Sequence, residues 1–155
     1  MTDRRPTIRS LGAALAIPFL AGAIGTPFVD RAWYRRLSKP SWAPAPAVFG
    51  PVWTTLYAML GLSSWLVWRR LPTDRPALVL YATQLGLNAL WTPVFFGARR
   101  LGAAAVVIVL LWLVAAAAAI RSFRVRTTAG LLYVPYLAWV AFATALNLAI
   151  WRRRP

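Results

Sequence analysis

The side chains able to do chemistry in this chain are indoles, carboxamides and guanidinium groups. Its 155 residues include no cysteine and no histidine, and the three acidic residues are Asp3, Asp30 and Asp74. The absent types exclude thiolate and imidazole metal sites and a porphyrin iron held by His or Cys. They leave no acid-base pair for catalysis either. What remains suits the binding of a flat apolar molecule. Trp33, Trp42 and Trp53 supply large amphipathic rings able to cap a cavity and stack on a planar ligand. Gln84, Asn88 and Trp91, spaced i, i+4 and i+7, share one face of a helix, and Tyr136, Trp139, Ala143 and Leu146 or Asn147 recur as a second wall. Asn88 and Asn147 offer polar anchors, and loop Arg and Lys residues can meet carboxylates.

These residues need a frame, and composition says where it sits. A content of 60% hydrophobic residues and a mean hydropathy of +0.59 are too apolar for a soluble domain. The net charge of +15 could suggest nucleic acid, but its distribution argues otherwise. The Lys and Arg residues fall in six clusters separated by five stretches of about 20 residues or more, the length that crosses a hydrocarbon core. The charges are interfacial collars, and no nucleic-acid partner is expected. The fold class is therefore an all-α integral membrane protein, a single domain over residues 1–155. It is a bundle of five transmembrane helices over approximately Leu11–Val29, Phe49–Trp68, Ala77–Phe96, Leu101–Ile120 and Thr128–Trp151, with a structured loop over 30–48.

That loop is rich in proline. Pro40, Pro44, Pro46 and Pro51 should keep any helix from starting before about Val52. Helix 1 has a rival reading as a signal peptide, with Arg4, Arg5 and Arg9 before an apolar run that contains Ala21-Gly22-Ala23. The run continues to Val29, which favours a helix kinked at Pro18, with Gly12, Gly22 and Gly25 as thin surfaces. Trp53, Tyr57, Leu60 or Gly61, Ser64 and Trp68 make one stripe on helix 2, either core packing or cavity wall. The Gln84 and Asn88 amides must face protein, ligand or trapped water, because an unpaired amide in hydrocarbon is costly. Interhelical bonding, notably to Asn147, and ligand contact are both open. Ala82 and Gly86 form a small pair suited to association of two protomers. Helix 4 is nearly featureless, fit for packing and lipid contact. Each side of the membrane carries nine Lys or Arg, so charge sets no orientation.

Three motifs in order carry a family resemblance: WYRRLSKPSWAPAPAVFGPVWTTLY from Trp33, QLGLNALWTPVFFGAR from Gln84, and PYLAWVAFATALN from Pro135. Together they resemble the tryptophan-rich sensory protein family, also called the translocator-protein family. The resemblance implies a five-helix bundle that commonly dimerises, with membrane lipid around it, in a bacterial cell membrane, outer or inner. It implies a receptor for porphyrins of the protoporphyrin IX type and related planar hydrophobes, with no obligatory cofactor and no metal. The implied ligand residues are Gly22, Thr26, Trp33, Trp42, Phe49, Trp53, Asn88, Trp91, Trp139, Ala143, Leu146 and Asn147, in a cavity walled by helices 1, 2, 3 and 5 and lidded by the loop. A light-dependent porphyrin breakdown is known in some members, and there Trp42 and Trp139 would be the catalytic, oxidisable groups. Nothing in the composition itself indicates catalysis. Transport is a third reading, but the chain lacks an evident inverted repeat or intramembrane ion site. Sterol is disfavoured as a ligand, because the sterol motif ending helix 5 has Leu148 where it requires Tyr.

Overall fold

The computed structural model describes residues 7–70 and 75–153, and all regular structure in them is helical. Arg4, Arg5 and Arg154 of the charge collars, and the connection over 71–74, lie outside the described residues. Helix α1 (Ile8–Gly25) opens on Thr7, whose side chain accepts from the Ser10 backbone N–H while the Ser10 hydroxyl accepts from Thr7 N–H. A 3₁₀ turn (Thr26–Phe28) follows, then α2 (Arg31–Arg36) and α3 (Pro46–Trp68). Next come α4 (Arg75–Thr92), a π-helical turn (Pro93–Gly97) and α5 (Leu101–Val125). The chain closes with α6 (Thr127–Leu131) and α7 (Val134–Arg152).

Several boundaries differ from the sequence expectation, each for a local reason. Helix α3 begins at Pro46, a full turn and more before Val52. A proline in the first turn lacks only an N–H that would have had no helical acceptor anyway, and its fixed φ suits the helix. Pro51 sits inside and is tolerated, with the carbonyls of Gly50 and Pro51 accepting from the Thr54 and Thr55 hydroxyls. The proline-rich loop holds a helix of its own, since Asp30 caps α2 by accepting from Trp33 N–H at 2.8 Å. At Pro93 the missing donor ends regular α4, and the wider turn closes through Ala98 N–H to Pro93 O at 2.8 Å. The last long segment breaks at Leu132 and Tyr133, whose amides bond back to Thr128 and Gly130, so α6 and α7 are separate.

Among the described residues three segments are by themselves long and apolar enough to cross a membrane: Ile8–Phe28, Leu101–Val125 and Thr127–Arg152. Helix α4 packs on α5 and α1, α3 on α1, and α5 on α7. At the α1–α3 crossing a Cβ on Gly61 would lie 2.7 Å from Ala14 O and 2.8 Å from Leu15 Cα, so only glycine allows the approach. The expected thin surface at Gly12 meets nothing. The core joins Leu56 and Leu60 of α3, Tyr81 and Leu85 of α4, Ile108 and Leu111 of α5, and Tyr136 and Val140 of α7. Helix α5 is therefore far from featureless. Ala104, Ala115, Ala118 and Ala119 are buried and let neighbouring helices close on it, while Val106, Leu110 and Leu113 remain outside.

Candidate functional site

The fold encloses a cavity of about 610 Å³ between α1, α2, α3, α4, α5 and α7. Its inner wall is built around Asn88 of α4. The Asn88 side chain accepts from the Tyr57 hydroxyl at 2.9 Å and donates through Nδ2 to the Tyr136 hydroxyl at 3.3 Å. Tyr136 in turn donates to Gln84 Oε1 at 2.6 Å. One α4 face thus ties α3 to α7 through two phenols. One turn further on, Trp91 donates its indole N–H to Asn147 Oδ1 at 3.1 Å, and Asn147 Nδ2 donates to Leu101 O at 2.9 Å. The interhelical alternative for these amides holds in detail that was not foreseen: Asn88 and Asn147 do not pair with each other, and tyrosines and a tryptophan are their partners. Gln84 lies behind the cavity wall, fully buried.

Aromatic rings form much of the rest of the lining, among small and aliphatic residues such as Gly22, Ala143 and Leu146. Trp53 lies 5.3 Å from Tyr57 and 6.3 Å from Tyr136 between centroids, and Trp91 lies 4.8 Å from Phe95. Phe49 meets Trp139 at 5.8 Å and Tyr34 at 6.2 Å, both edge-on. Gly22 of α1 gives Tyr57 its room, because a Cβ there would run into the phenol ring. Of the twelve residues expected from the sequence, Gly22, Thr26, Phe49, Trp53, Asn88, Trp91, Trp139, Ala143, Leu146 and Asn147 line this cavity. Trp33 and Trp42 do not.

Both exceptions have a physical reason. Trp33 packs against Phe95 and Phe96 at 5.7 and 6.0 Å, under the Arg99 guanidinium at 5.5 Å, and so supports the wall from behind. Trp42 is 49% exposed and touches Phe142 at 5.7 Å, outside the cavity. The expected wall also omitted α5, whose Ile108 and Leu111 contribute to the lining. Sequence reasoning passed over Tyr34 and Arg31 as individual site residues, although the three-residue spacing on a short capped helix would have put them on one face.

Charge ties the start of loop 30–48 to the connection between the π-helical turn and α5. Arg99 pairs with Asp30 at 3.2 Å, and its own backbone lies in the left-handed region at φ 54°. The Trp33 backbone N–H bonded to Asp30 holds that carboxyl below its ordinary value, with Arg99 adding to the effect and partial desolvation opposing it. Lys39 Nζ donates to the carbonyls of Tyr34, Arg35 and Leu37 at 2.7, 3.1 and 3.1 Å, closing the C-terminal end of α2. Burial pushes the Tyr34 hydroxyl up from its ordinary value, so it stays protonated at neutral pH.

Known proteins are similar to this chain in sequence. A family model described as the TspO/MBR family matches residues 13–152. The human translocator protein is 44% identical over 154 residues, covering 95% of this chain and 90% of its own. The tryptophan-rich sensory protein of Cereibacter sphaeroides is 43% identical over 145 residues, covering 90% of each. Protein CrtK of Rhodobacter capsulatus is 41% identical over 138 residues, covering 87% of this chain and 86% of its own.

Proposed function

This chain belongs to the TspO/MBR family and is an integral membrane protein, and from that premise we propose that it is a receptor for porphyrins and related planar hydrophobic molecules. The observation that carries the reading is the cavity, about 610 Å³ and walled by Trp53, Trp91, Trp139 and Phe49. That volume lies within the roughly 300–1,000 Å³ of small-molecule sites, and aromatic walls with few polar groups favour a flat apolar ligand. We infer that all the long helices span the bilayer, α3 and α4 included. Tyr57 and Asn88 of these two line the cavity and Gln84 is buried behind it, so their polar atoms need not meet lipid. The single domain covers the whole chain, and two copies meet through the face bearing Ala82 and Gly86, where a Cβ on Gly86 meets nothing within one copy. Gly86→Leu should lower the dimer fraction in sedimentation, and an unchanged fraction would place the interface elsewhere.

The binding reading is tested by titrating the protein with protoporphyrin IX in detergent and in lipid, following tryptophan fluorescence. Saturable quenching with micromolar affinity, about 8 kcal/mol, is expected. Its absence in both media overturns the reading. A second reading, light-dependent breakdown of bound porphyrin, is favoured by one observation. Trp139 in the wall touches Phe142 at 5.4 Å, and Phe142 touches Trp42 at 5.7 Å, so the cavity indole is in ring contact with an outer one through a single phenylalanine. Photobleaching of bound porphyrin at the parental rate in Trp42→Phe with Trp139→Phe would dispose of it.

A further inference from the structure

A second hollow lies on the outer side of the bundle. A groove of about 660 Å³ runs between α1 and α4, with Ala13 and Ile17 on one side, Ala82 and Gly86 on the other, and Trp65 and Trp68 of α3 at one end. Among the described residues none lines both this groove and the cavity, so the two spaces are separate. Gly25 of α1 meets Thr92 of α4, and Ser10 and Leu78 near the starts of the same helices share the groove, so the two helices run side by side in one direction. From Leu78 to Ala89 the α4 wall covers eleven residues, about 17 Å at a rise of about 1.5 Å per residue. With α4 spanning the bilayer as proposed above, that is the depth of one leaflet, half of a hydrocarbon core of about 30 Å.

The surface offered along this depth is apolar. Ser64 donates to Gly61 O at 2.9 Å, Ser10 accepts the Trp65 indole N–H at 3.1 Å, and the Tyr81 hydroxyl is buried beside Ser64. The end of the groove is different. The Arg69 guanidinium lies 5.1 Å from the Trp65 ring, and the bond from Trp65 to Ser10 brings that corner against the first turn of α1. Arg9, next to Ser10, is exposed and makes no ion pair among the described residues. An apolar trough one leaflet deep that opens on a basic rim complements a molecule with a long hydrocarbon chain and an anionic head.

Width decides what can lie there. Helices α1 and α4 touch each other, and a helix of a second copy, about 10–12 Å across with its side chains, does not fit between helices in contact. A single methylene chain does, and every methylene it buries against Ala13, Ile17 and Ala82 adds to its hold. We propose that the groove is a lipid site, in which one acyl chain of an anionic phospholipid lies between α1 and α4 with its phosphate at the end where Arg9 and Arg69 stand. Ala82 and Gly86 form the outer rim, so a second copy meeting α4 there covers the chain and does not replace it. The site is independent of what the cavity binds.

The test is native mass spectrometry of the full chain, which reads bound lipid and the number of copies in one spectrum. The protein in detergent is offered phosphatidylglycerol and phosphatidylcholine with identical long acyl chains in equal amounts. A basic residue near the membrane surface favours an anionic headgroup about fivefold, so the parent should retain one phosphatidylglycerol per copy with a preference of at least about tenfold. Arg9→Gln should lower that preference about fivefold and leave phosphatidylcholine retention as it is. Ala82→Phe, a change at an exposed position that fills the groove, should reduce retention of both lipids about tenfold or more. Dihexanoyl phosphatidylglycerol, with the same head and short chains, should be held about tenfold less well than the long-chain lipid. Equal retention of the two headgroups by the parent, parental behaviour in either variant, or equal binding of short and long chains overturns the site. A parent that dimerises while retaining no lipid overturns it too, and gives the groove to the second copy. Should Ala82→Phe not fold, Arg9→Gln and the short-chain lipid decide the matter. Saturable quenching by protoporphyrin IX in a protein that fails these tests leaves the cavity reading standing.

Discussion

The two ends of the cavity are built from similar residue types and do different work. At the inner end Tyr57, Asn88, Tyr136 and Gln84 form a linked set that joins three helices. At the loop end the Tyr34 hydroxyl and the Trp139 indole N–H are uncommitted and Arg31 is exposed, whereas in the inner set only the Gln84 amide N–H lacks a partner. A polar atom spent on a neighbouring helix holds the bundle together and has little left to offer a ligand. One left over at a wall is available for recognition. The difference teaches that residue type alone does not mark a ligand contact; the partner it already has decides.

The comparison breaks most readily at the inner end. Asn88→Leu strands the Tyr57 hydroxyl and removes a donor to Tyr136, and an unsatisfied buried group costs about 1–3 kcal/mol, so a loss of about 2 kcal/mol is expected in unfolding experiments. A variant as stable as the parent would show that the inner network carries no structural load. Next in size is Ala143→Leu. Ala143 lines the cavity and packs against the core, so enlarging it should weaken porphyrin binding by about 1–2 kcal/mol, roughly five- to thirtyfold. Unchanged affinity by titration would place the ligand away from α7.

Smaller effects sharpen the contrast at the loop. Trp42→Phe should leave porphyrin affinity within about twofold, because Trp42 stands outside the cavity. A loss as large as that of Ala143→Leu would mean that the loop folds inward over bound ligand. The slightest effect is that of pH. Asp30 has a folded-state value below its ordinary one, so its contribution to stability is full above the unfolded carboxylate value of about 4 and is lost as pH falls through the lower folded value. Thermal midpoints should stay level on this account from neutral pH to about pH 5 and fall below about pH 4. The acid limb should flatten in Asp30→Asn. An identical limb in that variant would assign the fall to other groups.

Much of this was legible in the chain. Helical class, the clustered charges and the two aromatic walls follow from periodicity, and ten of the twelve expected residues lie on one cavity. The misses share a cause. A run of prolines suggests a stop, whereas at Pro46 a proline begins a helix, because its effect depends on its place in the turn. Trp33 and Trp42 were judged by the reach of an indole, yet the direction a loop ring takes depends on Phe95, Phe96 and Phe142, which lie far away in sequence. Asn88 and Asn147 were correctly turned inward, but which hydroxyl or indole would meet each amide depends on helix rotation of a few tens of degrees. Spacing does not encode that.

The linked set at the inner end constrains how this protein could be changed. Replacing any one of Tyr57, Asn88 or Tyr136 orphans a partner on another helix, so single replacements start from a loss and only a concerted pair escapes it. Arg31 carries no such debt, being exposed and without an ion pair among the described residues, whereas Tyr34 is free at its hydroxyl alone and packs by its ring on Phe49 and Phe96. Variation in ligand preference therefore has an open route one residue at a time along α2 and a closed one along α4. A library meant to retarget the cavity starts at Arg31, on the short helix that lines one end of it.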